Sequence, residues 1–128
     1  MTVQQLDHVN IRTANLAAMV NWYTDVLGMR NGERPPFPFP GAWLYAGDDA
    51  AVHLVGAETD PAGTDPKLEH FALSASGLKE FVSRLETHGV DYTPVRVPGI
   101  RILQINVYDP DGNHIHIDFD VAEMDDEN

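Results

Sequence analysis

Six histidines stand in this 128-residue chain: His8, His53, His70, His88, His114 and His116. A neutral imidazole carries one lone pair and one N–H, so it can bind a transition metal or move a proton near neutral pH. Spacing singles out four of them. Residues 6–11 read Leu-Asp-His-Val-Asn-Ile, and residues 68–73 read Leu-Glu-His-Phe-Ala-Leu. The two segments share a pattern and lie 62 residues apart, close to half the chain. His53 sits in Val52-His53-Leu54 and His116 in Ile115-His116-Ile117, which is the same kind of setting at nearly the same offset. Two repeated halves that each contribute two histidines could assemble one metal site. Imidazole donors suit Fe, Ni, Cu, Zn or Co better than Mg or Ca. His114 reads as a partner of the ligands or a cleft-lining side chain. His88 reads as structural, because a cation in the last turn of a helix favours the dipole.

The elements that must position these residues follow from periodicity. Alternation predicts strands at 6–12 and 68–74, in which His8, Asn10 and Arg12, and likewise His70, share the face opposite the apolar side chains. Helical spacing follows each strand. Leu16, Met19, Tyr23 and Val26 mark one helix, capped by Asn15 and stopped by Gly28. Leu78, Phe81 and Leu85 mark the other, with Ser76 as its cap and Gly89 as its stop. Further strands are expected near 29–34, 42–46 and 50–55, and near 91–96, 101–108 and 113–119. The turn Asp109-Pro110-Asp111-Gly112-Asn113 joins the last two. In these strands His53, Gln104, Asn106, Tyr108, His114, His116 and Asp118 oppose the apolar face. The fold class is α+β, built from two pseudo-symmetric βαβββ units, 3–56 and 67–119, within one domain, 1–119. The four prolines of Arg34–Gly41 preclude regular pairing. This stiff loop carries Phe37 and Phe39, and it reads either as packing for its own domain or as the wall of a ligand cleft.

Composition narrows the function. The chain has no cysteine, which removes thiolate chemistry and disulfides. Its formal charge of −12 disfavours nucleic acid and anionic membranes as partners. No apolar run approaches the roughly 20 residues a bilayer requires, and no signal peptide is evident. A cytoplasmic protein is expected. Residues 120–128 are acidic and read as a flexible tail.

These pieces together resemble the vicinal oxygen chelate superfamily, also called the glyoxalase/bleomycin resistance/dioxygenase superfamily. The motifs that carry the resemblance are L-D-H-V-N-I at 6–11, W-Y-T-D-V-L-G-M at 22–29, L-E-H-F-A-L at 68–73 and D-P-D-G-N-H-I-H-I at 109–117. The resemblance implies a curved mixed sheet with a U-shaped metal cleft, commonly completed in a homodimer. It implies one divalent transition metal per site (Fe, Ni, Zn, Co or Mn) with ligands at His8, His53, His70 and His116. The family's metal-dependent members usually carry glutamate where this chain has His116, and glyoxalase I relatives often carry Glu or Gln at the position of His53. Asp118, two residues on and on the same predicted face as His116, is the residue that could supply the missing carboxylate as part of the catalytic set. The resemblance leaves three readings. One is a metal-dependent enzyme acting on a small vicinal-oxygen substrate, narrowly favoured as an Fe(II) ring-cleaving dioxygenase. The second is a glyoxalase-like lyase or isomerase, and the third a non-enzymatic binder of the resistance type. Under the enzyme readings His53 or His114 serves as acid or base. Asn10, Arg12, Phe37, Phe39, Trp43, Gln104, Asn106 and Tyr108 contact the substrate.

Overall fold

Each half of the sequence folds into the same series of elements: strand, helix, three strands. The computed structural model describes residues 1–63 and 66–125. The chain divides into two compact units, Met1–Gly63 and Thr64–Asn128. The first contains β1 (Val9–Thr13), α1 (Leu16–Asp25), β2 (Arg30–Gly32), β3 (Gly41–Ala46) and β4 (Asp49–Gly56). The second contains β5 (Phe71–Ser74), α2 (Leu78–Thr87), β6 (Thr93–Arg96), β7 (Ile102–Tyr108) and β8 (His114–Asp120), followed by a 3-10 turn over Val121–Asp125.

The two sheets repeat one topology, β1-β4-β3-β2 and β5-β8-β7-β6. In each, the first and last strands of the unit run parallel and the other pairs run antiparallel. The first strand therefore lies beside the last, which brings distant histidines within reach of each other. The apolar faces behave as their alternation requires. In the first unit Met19 and Tyr23 of α1 and Leu44, Val52 and Leu54 of the sheet are wholly buried. In the second, Leu85, Val107 and Ile115 are wholly buried, and Phe81 packs on Phe119 with ring centroids 5.6 Å apart. Gly28 and Gly89 follow the helices with φ of 70° and 65°, a left-handed conformation that costs glycine little.

Four details differ from the sequence expectation. The ladders begin at Val9↔Val52 and Phe71↔Ile115, so His8 and His70 stand one residue ahead of their strands. Leu6 and Leu68, counted in those strands, are 74% and 69% exposed. The edge strands β2 and β6 are shorter than expected, and Pro94 lies in β6, an edge position where its missing N–H is tolerated. Gly77, not Ser76, occupies the N-cap of α2, with φ 89°. The capping carboxylate comes from Glu123, whose Oε1 accepts both the Gly77 and Leu78 N–H groups at 2.9 Å. The acidic segment read as flexible from 120 onward thus ends β8 and forms a turn that buries Val121 and caps a helix. Residues 126–128 of that expected tail lie outside the described residues.

Candidate functional site

The two ends of the L-acid-H segments place a carboxylate beside each leading histidine. Asp7 Oδ2 lies 2.7 Å from His8 Nδ1, and Glu69 Oε1 lies 2.8 Å from His70 Nδ1. An ionised carboxylate only accepts, so both rings donate through Nδ1 and present the Nε2 lone pair. The parallel pairing then stacks each leading histidine on the central histidine of its own unit. His8 and His53 have centroids 3.8 Å apart, and His70 and His116 have centroids 3.9 Å apart.

The register rows are equivalent. Asn10, His53 and Trp43 line up across β1-β4-β3, and Ala72, His116 and Asn106 across β5-β8-β7. From this common plan the units diverge chemically. In the first, His53 is sandwiched between His8 and Trp43, whose ring centroid is 4.0 Å away. His53 Nε2 donates to the Ala50 carbonyl at 3.0 Å, which leaves Nδ1 with the lone pair. In the second unit His114 joins the pair, and one ligand atom from each of His70, His114 and His116 falls within 4.8 Å of the others. Such a set matches a transition-metal site.

The histidines of this trio are not equally free. His114 Nδ1 donates to Glu69 Oε2 at 2.5 Å, and its Nε2 meets Asn106 Oδ1 at 2.9 Å. Asn106 donates its own amide to the Thr93 carbonyl at 3.0 Å, which fixes that orientation. In this arrangement both nitrogens of His114 already have hydrogen-bond partners. His116, by contrast, is buried and has no hydrogen-bond partner among the described residues. One further feature fits a cation: Asp118 Oδ1 is buried without a hydrogen-bond partner, and its charge is felt at His116.

Burial pushes His116 below the ordinary imidazole range, and the neighbouring His70 and His114 push in the same direction. His53 is lowered likewise, first by burial and then by His8. Both shifts favour the neutral ring that ligates metal. Glu69 is held below the usual carboxylate value by its hydrogen bonds from His114 and then His70.

A tight turn sets the position of the β8 histidines. The buried Asp109 carboxylate accepts the Asp111 and Asn113 N–H groups through Oδ1 and the Asn113 side-chain amide through Oδ2, all at 2.9 Å. Gly112, with φ 84°, allows the chain to reverse there.

The remaining expected contacts separate by unit. Asn10, Phe37, Phe39, Trp43 and His53 border one pocket in the first unit. Arg12 is exposed and does not border that pocket, although its register partner Val55 does. Tyr108 stacks on His114 at 4.9 Å while staying 60% exposed, and Gln104 faces Asp118 in register. Sequence reading missed Asp7, Glu69 and Arg34 as site residues. The first two carried a signal, since an acid precedes histidine in both repeats. Arg34 carried none beyond its place at the head of the proline loop.

The sequence profile of the Glyoxalase/Bleomycin resistance protein/Dioxygenase superfamily matches residues 5–117. No curated protein matches the chain. Among solved structures, a glyoxalase family protein from Bacillus anthracis is 19% identical, with 94% of this chain and 98% of that chain covered and a TM-score of 0.77. A lactoylglutathione lyase from Agrobacterium tumefaciens is 17% identical, with 93% and 96% covered and a TM-score of 0.69. The trypanothione-dependent glyoxalase I of Leishmania major is 23% identical, with 96% and 91% covered and a TM-score of 0.68. At these identities the likeness speaks for the fold.

Proposed function

The chain belongs to the glyoxalase/bleomycin resistance protein/dioxygenase superfamily, and from that premise we propose that it is a divalent-metal-dependent enzyme acting on a small substrate with two neighbouring oxygens. The observation that carries this reading is the convergence of His70, His114 and His116 within 4.8 Å. His70 and His116 are the ligands with free lone pairs, and His114 joins them if it releases Asn106. His8 and His53 form the matching pair of the first unit and remain candidate ligands on the same pattern. A bound metal would supply Lewis acidity to the substrate oxygens and, as Fe(II), activation of O₂.

The chain's own groups have separate tasks. Glu69 orients His70 and His114 through their Nδ1–H groups. Burial keeps His116 and His53 neutral. Asp118 offers the carboxylate that position 116 lacks. His53, with Nε2 committed to Ala50, has Nδ1 to accept a proton.

Within this reading a ring-cleaving dioxygenase is narrowly favoured over a glyoxalase-like lyase or isomerase. The histidine-rich donor set and the aromatic side chains Phe37, Phe39, Trp43 and Tyr108 fit a phenolic ligand. His116 replaces the glutamate that the lyase reaction uses as its base, and Asp118 would have to complete the two-histidine, one-carboxylate iron triad. Histidine at all four repeat positions counts against a purely sequestering protein. We place the working form in the cytoplasm as a homodimer, which light scattering tests directly. To test the reaction, protein reconstituted anaerobically with Fe(II) is given a catechol panel and its O₂ uptake is followed. In parallel, hemithioacetals are scored for solvent deuterium exchange at the carbon next to the carbonyl. O₂ consumption with ring opening supports the dioxygenase. Exchange without O₂ consumption overturns it in favour of the lyase.

A further inference from the structure

The first unit contains a small pocket of about 130 Å³ beside the proline loop. Its border includes Asn10, Arg34, Phe37, Phe39, Trp43 and His53. Most of these are rings in mutual contact. Phe37 and Phe39 stack at 5.1 Å, Phe37 and Trp43 approach at 6.4 Å, and Trp43 stacks on His53. Among the described border residues, the charged group is a cation. Arg34 lies 5.1 Å from the centroid of each phenylalanine ring, and one of its N–H groups donates to the Phe39 carbonyl at 2.8 Å. A guanidinium has five donors in a planar fork, so most of its capacity is unused. In a chain of net charge −12, Arg34 makes no ion pair among the described residues. The Asn10 amide likewise has no hydrogen-bond partner among them. No carboxylate borders the pocket.

The loop is built to hold this arrangement. The Arg34–Phe39 bond closes it, and four prolines stiffen it. A β-carbon on Gly41 would stand 2.4 Å from the Leu54 carbonyl oxygen and 2.9 Å from Arg34 Nη2, so glycine is what allows the loop's end and the arginine to lie this close to β4. The volume also limits the occupant, since cavities of about 150 Å³ hold a single benzene ring.

We propose that this pocket binds a monocyclic aromatic carboxylate, with its ring against Phe37 and Trp43 and its carboxylate on the Arg34 fork. Arg34 is the specificity-determining residue. This assignment rests on the chain acting on small molecules and not on its metal.

The test uses Trp22→Phe protein, in which Trp43 is the sole indole, with EDTA present throughout. Trp43 emission is titrated with benzoate, benzamide, benzylamine and cyclohexanecarboxylate. Benzoate should produce a saturable change, and the other three should bind at least about tenfold more weakly, as expected for loss of a charge-assisted contact or of the ring. Arg34→Gln in the same background should weaken benzoate by about tenfold or more and leave benzamide unchanged. The absence of a saturable benzoate response, benzamide or benzylamine binding as tightly as benzoate, or benzoate binding unaffected by Arg34→Gln would each overturn the proposal. If Arg34→Gln fails to fold, the four-ligand series still decides the question. Because EDTA is present, a failed titration leaves the metal reading standing, and an absent metal leaves the titration interpretable.

Discussion

The Glu69 carboxylate accepts the Nδ1–H of His114 at 2.5 Å, tying the residue before His70 to the first residue of β8. The same carboxylate holds His70 at 2.8 Å through its other oxygen. One exposed acid thus orients two of the three clustered imidazoles. Glu69→Gln keeps the size of the side chain and loses the charge. Metal affinity, measured by competition with a chromophoric chelator, should fall about 10- to 100-fold, the range seen when partners of metal-bound histidines are removed. Unchanged affinity would mean that Glu69 is only a surface acid.

The lowered histidines give the protein a pH dependence of defined sign. His53 and His116 sit below the ordinary imidazole value of 6.5 in the folded state, chiefly through burial. As pH falls, the unfolded chain therefore takes up protons first. Stability is complete above 6.5 and is lost as pH falls through that value toward the folded pKa. Urea midpoints of metal-free protein should decrease between about pH 7.5 and about pH 5.5, and the decrease should shrink in His116→Asn. Glu69 is lowered from 4.5 and acts in a more acidic window, so it does not blur this one. A midpoint that rises on acidification would contradict the assigned shifts.

Glu123 caps α2 from 45 residues away in sequence. Glu123→Ala should destabilise the protein by about 0.5–2 kcal/mol, the usual loss of a side-chain N-cap, whereas Glu123→Gln retains an accepting oxygen and should lose less. Chemical denaturation of the two variants checks the order. Equal losses would show that the charge, not the hydrogen bonds, does the stabilising.

What the sequence reveals and what it hides divide along one line. Strand alternation and the repeat reveal the four paired histidines, because a period of two and an offset of 62 are local or self-similar signals. The hairpin turn at Asp109–Asn113 is legible for the same reason. The partners of these residues are not. Glu69 with His114 and Glu123 with Gly77 join positions some 45 residues apart. No periodicity records such pairs, so Ser76 looked like the cap and the end of the chain looked like a tail. The exact starts of β1 and β5 were hidden too. Leu6 and Leu68 continue the alternation, but the ladder partners begin only at Val52 and Ile115.

Metal content decides whether the clustered histidines hold a transition metal. Protein purified without a polyhistidine tag is supplied anaerobically with Fe(II) or Ni(II), freed of excess, and analysed by inductively coupled plasma spectrometry alongside His70→Ala and His116→Ala. The wild-type chain should carry close to one metal and both variants should lose most of it, since removing a ligand removes much of the binding free energy. Wild-type content below about a tenth of a metal per chain, or variants that load as fully as wild type, would contradict a metal site on these histidines.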